Sequence, residues 1–315
     1  VSNDRSDTLH LQFRGIDISW LNGLMDRNKK EDQLSLSIKG MLNGNVFLSD
    51  LFSNPLAEGN LTINSFSILQ AAYGDLSVNM LWNSDRKVAD IHAFNNLEGK
   101  KMIDMTGYYD PSRKAIDISA TADKLPLDAL NPLLKIFASG ITGTGSGKVR
   151  ISGETKNLVL EGAVMAENSS LKVDYLQTRY RLNDSIRFTK DGINFRNIRI
   201  TDERGNSAVL NGAVRHNHLK DYRADLTIST NETMVLNTRP KDNDLFYGTA
   251  FATGVTTIKS GPESLSFDVS AKTGRNTKFY IPLNTSETVS DYSFITFVSP
   301  DTSGGSLTKP AAKPI

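Results

Sequence analysis

The segment Gly140-Ile141-Thr142-Gly143-Thr144-Gly145-Ser146-Gly147-Lys148 looks at first like a phosphate-binding loop. The chemistry of such a loop needs a first glycine where this chain has Thr142, and a Ser or Thr after the lysine where it has Val149. Lys148 to Ser152 alternates as a strand does, so no helix N-terminus follows to face a phosphate. The glycines read instead as a turn or bulge where strands approach closely. Of four histidines, His10, His92, His216 and His218, the last two flank Asn217 and would put two imidazoles on one strand face, half of a metal site. No third ligand lies near in sequence, and the segment reads as a polar strand end running into a turn. Asp202-Glu203-Arg204 reads as a hairpin turn, and no nucleophile elbow or paired carboxylates in an apolar setting can be found. Arg179, Arg181, Arg187, Arg196 and Arg199 form a basic cluster with tyrosines, best read as outward-facing strand residues and not as a nucleic-acid surface. The expectation is no enzyme, no cofactor, no metal and no nucleic-acid partner.

Composition agrees. The 315 residues carry 36 Lys+Arg against 35 Asp+Glu, a near-zero balance unlike that of a basic nucleic-acid binder. There is no cysteine, which removes disulfides, thiolate metal sites and thiol nucleophiles together. No apolar run approaches the roughly 18–20 residues that a membrane-spanning helix needs. Val1-Ser2-Asn3-Asp4 has no signal-peptide pattern, and the Pro/Ala/Lys end after Thr308 reads as a tail, so the expectation is a piece of a longer chain.

What must position any functional surface is strands. Apolar residues alternate with polar ones at Leu34/Leu36/Ile38, Leu171/Val173/Tyr175, Ile186/Phe188, Ala208/Leu210/Gly212/Val214, Ala224/Leu226/Ile228, Leu265/Phe267/Val269 and Phe279/Ile281/Leu283. The opposite parity, for instance Arg187, Asn211, Asp225 and Asp268, points to solvent. Helical spacing is confined to the stretch around Ile18–Met25 and to Leu127, Leu130, Leu133, Leu134 and Phe137. In the second stretch Asn131 can cap, Pro132 can open a helix running to Ser139, and Gly140 can end it, with Leu133, Leu134 and Phe137 packed on the sheet.

The chain also repeats. Ile16–Met25 lies over Leu125–Leu134 at an offset of 125 − 16 = 109, and Gly40, Gly44, Val46 and Leu48 lie over Gly143, Gly147, Val149 and Ile151 at 143 − 40 = 103. Met105–Tyr109 meets Leu210–Val214 at 210 − 105 = 105, and a fainter third copy sets Gly254 over Gly147. The expected organisation is a first repeat over 1–124, a second over 125–235, a partial third over 236–300 and a tail over 301–315, all one β architecture with a period of about 105 residues. Some 18–20 strands would make a sheet on the order of 90 Å long, which must fold on itself, close as a solenoid, or form a trough with an apolar lining.

The stretches GTGSGKVRISG, NLVLEGAVMAENSSLKVDYLQTRYRL, IRFTKDGINFRNIRITDERGNSAVLNGAV, FYGTAFATGVTTIKSGP and KFYIPLNTS…SFITF, in this order between Gly143 and Phe297, resemble the TamB family, whose AsmA-like relatives share the helix-plus-strands unit. The resemblance implies an all-β fold: a long curved antiparallel-rich sheet forming a trough, or β-taco, with two or three short helices. It implies a periplasmic protein anchored in the inner membrane by an N-terminal segment absent here, in a Gram-negative envelope. It further implies roles in outer-membrane protein assembly, secretion and phospholipid transport, with an Omp85-class barrel partner met through a C-terminal segment also absent here. Under that reading the inward parity touches phospholipid or other acyl chains, at Leu160, Val164, Leu171, Val173, Ile186, Phe188, Ile193, Phe195, Leu210, Val214, Leu226, Ile228, Leu265, Phe267, Val269, Phe279 and Ile281. The competing reading is a structural or adhesive β-solenoid, whose inward parity is a dry core and whose outer face binds a protein or glycan.

Overall fold

The computed structural model describes residues 8–26, 37–49, 56–69, 71–135, 137–218, 220–261 and 264–282. The chain divides into two units after Ile281, and the description concerns the first. Sixteen strands form one sheet in which β1 to β15 follow chain order, every neighbouring pair is antiparallel, and β16 pairs with β14 beside β15. The strands are β1 (Thr8–Asp17), β2 (Ile38–Ser49), β3 (Leu56–Ile68), β4 (Ala71–Asn83), β5 (Val88–Asn96), β6 (Ile103–Asp110), β7 (Ala115–Pro126) and β8 (Ala138–Glu154), then β9 (Val159–Val173), β10 (Thr178–Thr189), β11 (Gly192–Asp202), β12 (Ser207–Asn217), β13 (Lys220–Thr238), β14 (Tyr247–Ser260), β15 (Leu265–Thr273) and β16 (Lys278–Tyr280). The sheet is not closed, since β1 and β15 do not pair with each other.

Two short helical stretches interrupt the meander. Helix α1 (Trp20–Asp26) connects β1 to β2, and a 3-10 turn (Leu127–Leu130) runs into α2 (Asn131–Leu134) between β7 and β8. Each is fastened by one asparagine. Asn22 Oδ1 accepts from Ile38 N at 2.7 Å while its Nδ2 donates to Ile38 O at 2.8 Å. Asn131 makes the same pair with Ile141, at 2.8 and 3.3 Å. The two clamps stand 131 − 22 = 109 residues apart, the offset at which the two helical stretches align in sequence.

The second helix corrects the sequence reading. It ends at Leu134, and Ala138 and Ser139 already belong to β8, so Pro132 to Ser139 is not one helix. Asn131 does not cap it, because its carboxamide is spent on β8. Gly140 lies in β8 and so does not end a helix, and Phe137 is 54% exposed and does not pack. The Leu133 side chain, like the strand expected at Leu34 and Leu36 and its counterpart at Leu283, lies outside what is described. Tyr175, expected to continue β9, sits in the β9–β10 turn.

Alternation would carry a strand's apolar parity unchanged from end to end, but several strands change parity at a bulge. On β1, β3, β7, β9, β11 and β13 the residue facing the apolar side steps by three, from Phe13 to Ile16, Ile63 to Phe66, Ala122 to Leu125, Ala166 to Ser169, Phe195 to Ile198 and Thr230 to Thr233. Each bulge holds one residue at positive φ: Gly15, Ser65, Lys124, Asn168, Asn197 and Glu232. An extra residue bends its strand and sharpens the local twist. Here it also lets Val164, at even parity, and Leu171, at odd, share one face of β9.

Candidate functional site

The two faces of the sheet differ in chemistry along its central rows, and the strand register shows how. Residues directly opposite each other share a face. One such row passes through Phe13, Gly44, Leu61, Val78, Ala93, Met105, Ala120, Val149, Gly162, Phe188, Ile193, Val214 and Ala224, crossing from β1 to β13 without a polar side chain. One residue along β1 to β9 begins the row Gln12, Asn45, Asn60, Asn79, His92, Thr106, Ser119, Arg150 and Glu161, without an apolar one.

The apolar row is not sealed. Ala93 is buried, at 4% exposed, whereas the other members are half-buried. A face packed against a second layer would be dry, as in sandwich cores.

Burial is concentrated along one long rim, where β1 ends and β2 begins. There Ile18 is 4% exposed, and Ala138 and Ile141 lie buried near the Leu127–Leu134 turn. Further along, the last residues of β13 run back over the ends of β10, β11 and β12. Tyr180 Oη donates to Met234 O at 2.8 Å, Thr233 Oγ1 donates to Ser207 O at 2.9 Å, and Asn237 N donates to Leu176 O at 2.9 Å. Under this cover Ile198, Ala208, Met234, Leu236 and Phe251 form a small core. Burial holds the Tyr180 phenol above its ordinary value. The rim is thus roofed at the β1–β2, β7–β8 and β13–β14 connections, and the apolar face beyond the roofs stays half-exposed.

Asp202 sits inside this core with no exposed surface. Its Oδ1 accepts from the N–H groups of Arg204 and Asn206, and its Oδ2 from Asn206 Nδ2 and from Met234 N at 2.7 Å. Burial pushes this carboxyl up, but the donors led by Met234 N outweigh it and leave the group below the ordinary Asp value. The hairpin turn expected at Asp202-Glu203-Arg204 is present, yet Asp202 is its buried staple. At the equivalent place on β5, Asn95 is also fully buried, accepting from Met102 N and Ile103 N and donating to Tyr73 O.

The residues expected to line an apolar surface fall as follows. Leu160, Val164, Leu171 and Val173 lie on β9, Ile186 and Phe188 on β10, Ile193 and Phe195 on β11, Leu210 and Val214 on β12, and Leu226 and Ile228 on β13; all are half-buried on the one apolar face. Leu265, Phe267 and Val269 extend the same face onto β15, where they are 63, 60 and 61% exposed. Phe279 lies across from Gly248 on β16 and stacks on Phe246 at 5.6 Å, while Ile281 falls just beyond that strand. Leu11, Phe13, Val46, Leu61, Val78, Met80 and Met105 belong to the same face; the sequence repeat signals this for Met105, which aligns with Leu210.

The other candidate chemistry disperses. The glycine-rich segment is the body of β8, with Gly145 opposite Ala166 and Gly147 opposite Val164, so no loop exists to cradle a phosphate. His216, next to last on β12, stands edge-on to Tyr222, and His218 lies in the following turn at positive φ, so the two imidazoles do not share a strand face. Among the described residues no group of three or more metal-ligating side chains occurs. Among them, too, no helix is long and apolar enough to cross a membrane.

Residues 196–314 match the family model of the TamB C-terminal domain. No curated protein and no solved structure matches the chain.

Proposed function

From a chain whose residues 196–314 belong to the TamB C-terminal domain family, we propose a non-enzymatic protein of envelope biogenesis whose apolar sheet face carries acyl chains between membranes. The observation that carries the reading is the thirteen-strand row from Phe13 to Ala224, apolar throughout and, save at Ala93, only half-buried. Water-facing apolar surface on this scale is costly to leave uncovered, at about 25 cal/mol per Å². An acyl chain laid in it recovers about 0.8 kcal/mol for each buried CH₂. Twelve strand spacings of about 4.8 Å give a path of roughly 58 Å measured along the sheet, about twice the hydrocarbon thickness of a bilayer. Such a path suits chains passed along it better than one ligand held in a pocket.

In this reading the sheet is a trough built from repeat units over 1–124, 125–235 and a partial third over 236–300, roofed once per unit at one rim. The protein stands in the periplasm, tethered to the inner membrane by a preceding segment. It meets an Omp85-class barrel at the outer membrane and supports lipid delivery, outer-membrane protein assembly and secretion. The TamB match and the two asparagine clamps support this arrangement.

The test is a photo-crosslinking amino acid at Leu226, on the apolar face, and at Thr227, on the other, in protein isolated from membranes. Phospholipid adducts at 226 and not at 227 are expected by mass spectrometry. Adducts at neither position, or at both equally, would remove the reading.

A further inference from the structure

The polar face carries a second site. Above β10, β11 and β12 lies an open depression of about 800 Å³ whose wall includes Arg187, Arg196 and Arg215 together with Asp184, Asp191 and Asn194. Arg187, Asn194 and Arg215 belong to the side opposite the acyl-facing row, since Arg187 pairs with Asn194, Asn194 with Ala213, and Arg215 with Gly192. Arg196, two residues beyond Asn194, keeps its parity and also lines the depression.

Two features set these arginines apart from an ordinary solvated face. Arg215 stands directly opposite Arg223 on β13, and like charges in directly opposed positions disfavour a sheet pair. Among the described residues, moreover, none of Arg187, Arg196, Arg215 and Arg223 forms an ion pair. The Asp184 carboxylate is committed to backbone, accepting from Ser185 N and Arg199 N. Asn194 is likewise fixed, its Nδ2 donating to Thr189 Oγ1 at 2.9 Å. Elsewhere on this face the pairing rule is obeyed, as where Arg150 makes a two-point bond to Asp117 at 2.5 and 2.6 Å. We infer that the depression binds a phosphate-bearing anion, with the guanidinium groups of Arg187, Arg196 and Arg215 as its donors. The planar fork of a guanidinium suits two phosphate oxygens at once, and a bound dianion relieves the Arg215–Arg223 repulsion. The site does not depend on the acyl-carrying reading, because it lies on the other face.

The experiment titrates the protein with inorganic pyrophosphate by calorimetry, at low and at raised salt, and in parallel with vesicles of phosphatidylglycerol or of phosphatidylcholine. Saturable pyrophosphate binding is expected, weakened by salt and reduced roughly tenfold or more in Arg187→Gln and Arg215→Gln. Lys148→Gln, which removes a cation of the same face on β8, should leave it unchanged. Binding of phosphatidylglycerol vesicles displaced by pyrophosphate would identify a lipid headgroup as the source of the phosphate. Pyrophosphate binding without vesicle binding would identify a soluble phosphate ester. Absence of saturable binding, an equal loss in Lys148→Gln, or an affinity for single-stranded oligonucleotides that simply grows with their length would overturn the site. Because both arginines are exposed and Arg215→Gln removes a repulsion, an unchanged or raised Tm accompanies the lost binding.

Discussion

The backbone N–H of Asn197, at the bulge of β11, donates to Oδ1 of Asn211 on β12 across 2.7 Å. A bulge leaves one N–H outside the ladder, and an unpaired donor at a strand crossing is costly. The same solution recurs at the matching bulges of β1, β3, β7, β9 and β13: Gly15 N to Asn43 Oδ1, Ser65 N to Asp75 Oδ1, Lys124 N to Ser146 Oγ, Asn168 N to Asn183 Oδ1 and Glu232 N to Thr253 Oγ1. In each, the acceptor comes from the next strand in the chain. The line of bulges is therefore a fixture of the sheet, and it sets where the strands bend toward the roofed rim.

Asn211 was expected to point idly to solvent, and this bond changes what its substitution should do. Asn211→Leu removes the acceptor and should cost about 1 kcal/mol, read as a lowered urea midpoint. Asn211→Asp keeps an acceptor in place, as Asp75 does at its own bulge, and should leave the midpoint nearly unmoved.

Gly212, the next residue, tests the close approach of the strands. It adopts φ +119°, and a Cβ there would overlap the carbonyl oxygen of Asp225. Neither atom can yield without moving β13. Gly212→Val should thus destabilise by about 2–3 kcal/mol, visible in denaturant unfolding, although valine favours strands in general.

Much of this was legible in the sequence for a plain reason. A strand buried differently on its two faces must alternate, so Leu210 and Asn211 declare their faces by themselves. The helical stretches were legible too, but not their length: Asn131 has the chemistry of a cap, and only the position of Ile141 across the rim shows it bonding to β8 instead. The bulges were not legible because one added residue looks like a lapse in the pattern. Val164 and Leu171 have opposite parity, and nothing local says that Asn168 reconciles them. The roof over Asp202 was hidden for another reason. Its Met234 partner is 32 residues away and contributes a backbone N–H, which leaves no mark in side-chain type.

Asp202 gives the pH prediction. Its folded-state carboxyl lies below the ordinary value of 3.8, so the native state prefers the charged form. The stability this adds is fully present above the unfolded value and is lost as pH falls through the folded one. Asp110 behaves alike at the opposite rim, where the Ser112 hydroxyl and Arg113 hold it at about 2. Stability should therefore fall below about pH 4. Asp202→Asn should flatten that fall while lowering stability at neutral pH by about 1–3 kcal/mol, since an amide cannot accept from all four donors. Equal acid limbs in the two proteins would contradict the assignment.

Leu210 separates an accessible apolar face from a sealed core. It lies opposite Ile198 and Ile228 and is half-buried. An aspartate at this place has its carboxylate within reach of water, so Leu210→Asp should fold with a modest loss of stability while repelling an acyl chain from the row. In a sealed core the same charge would meet a desolvation cost of several kcal/mol and unfold the protein. Thr227→Asp, on the opposite face of the neighbouring strand, supplies the control for added charge alone. The measurement is lipid extracted per mole of purified protein, alongside Tm. Retained folding with lipid lost in Leu210→Asp, and lipid kept in Thr227→Asp, is the expected result. An unfolded Leu210→Asp, together with wild-type protein that carries no lipid, would make the row a structural core instead.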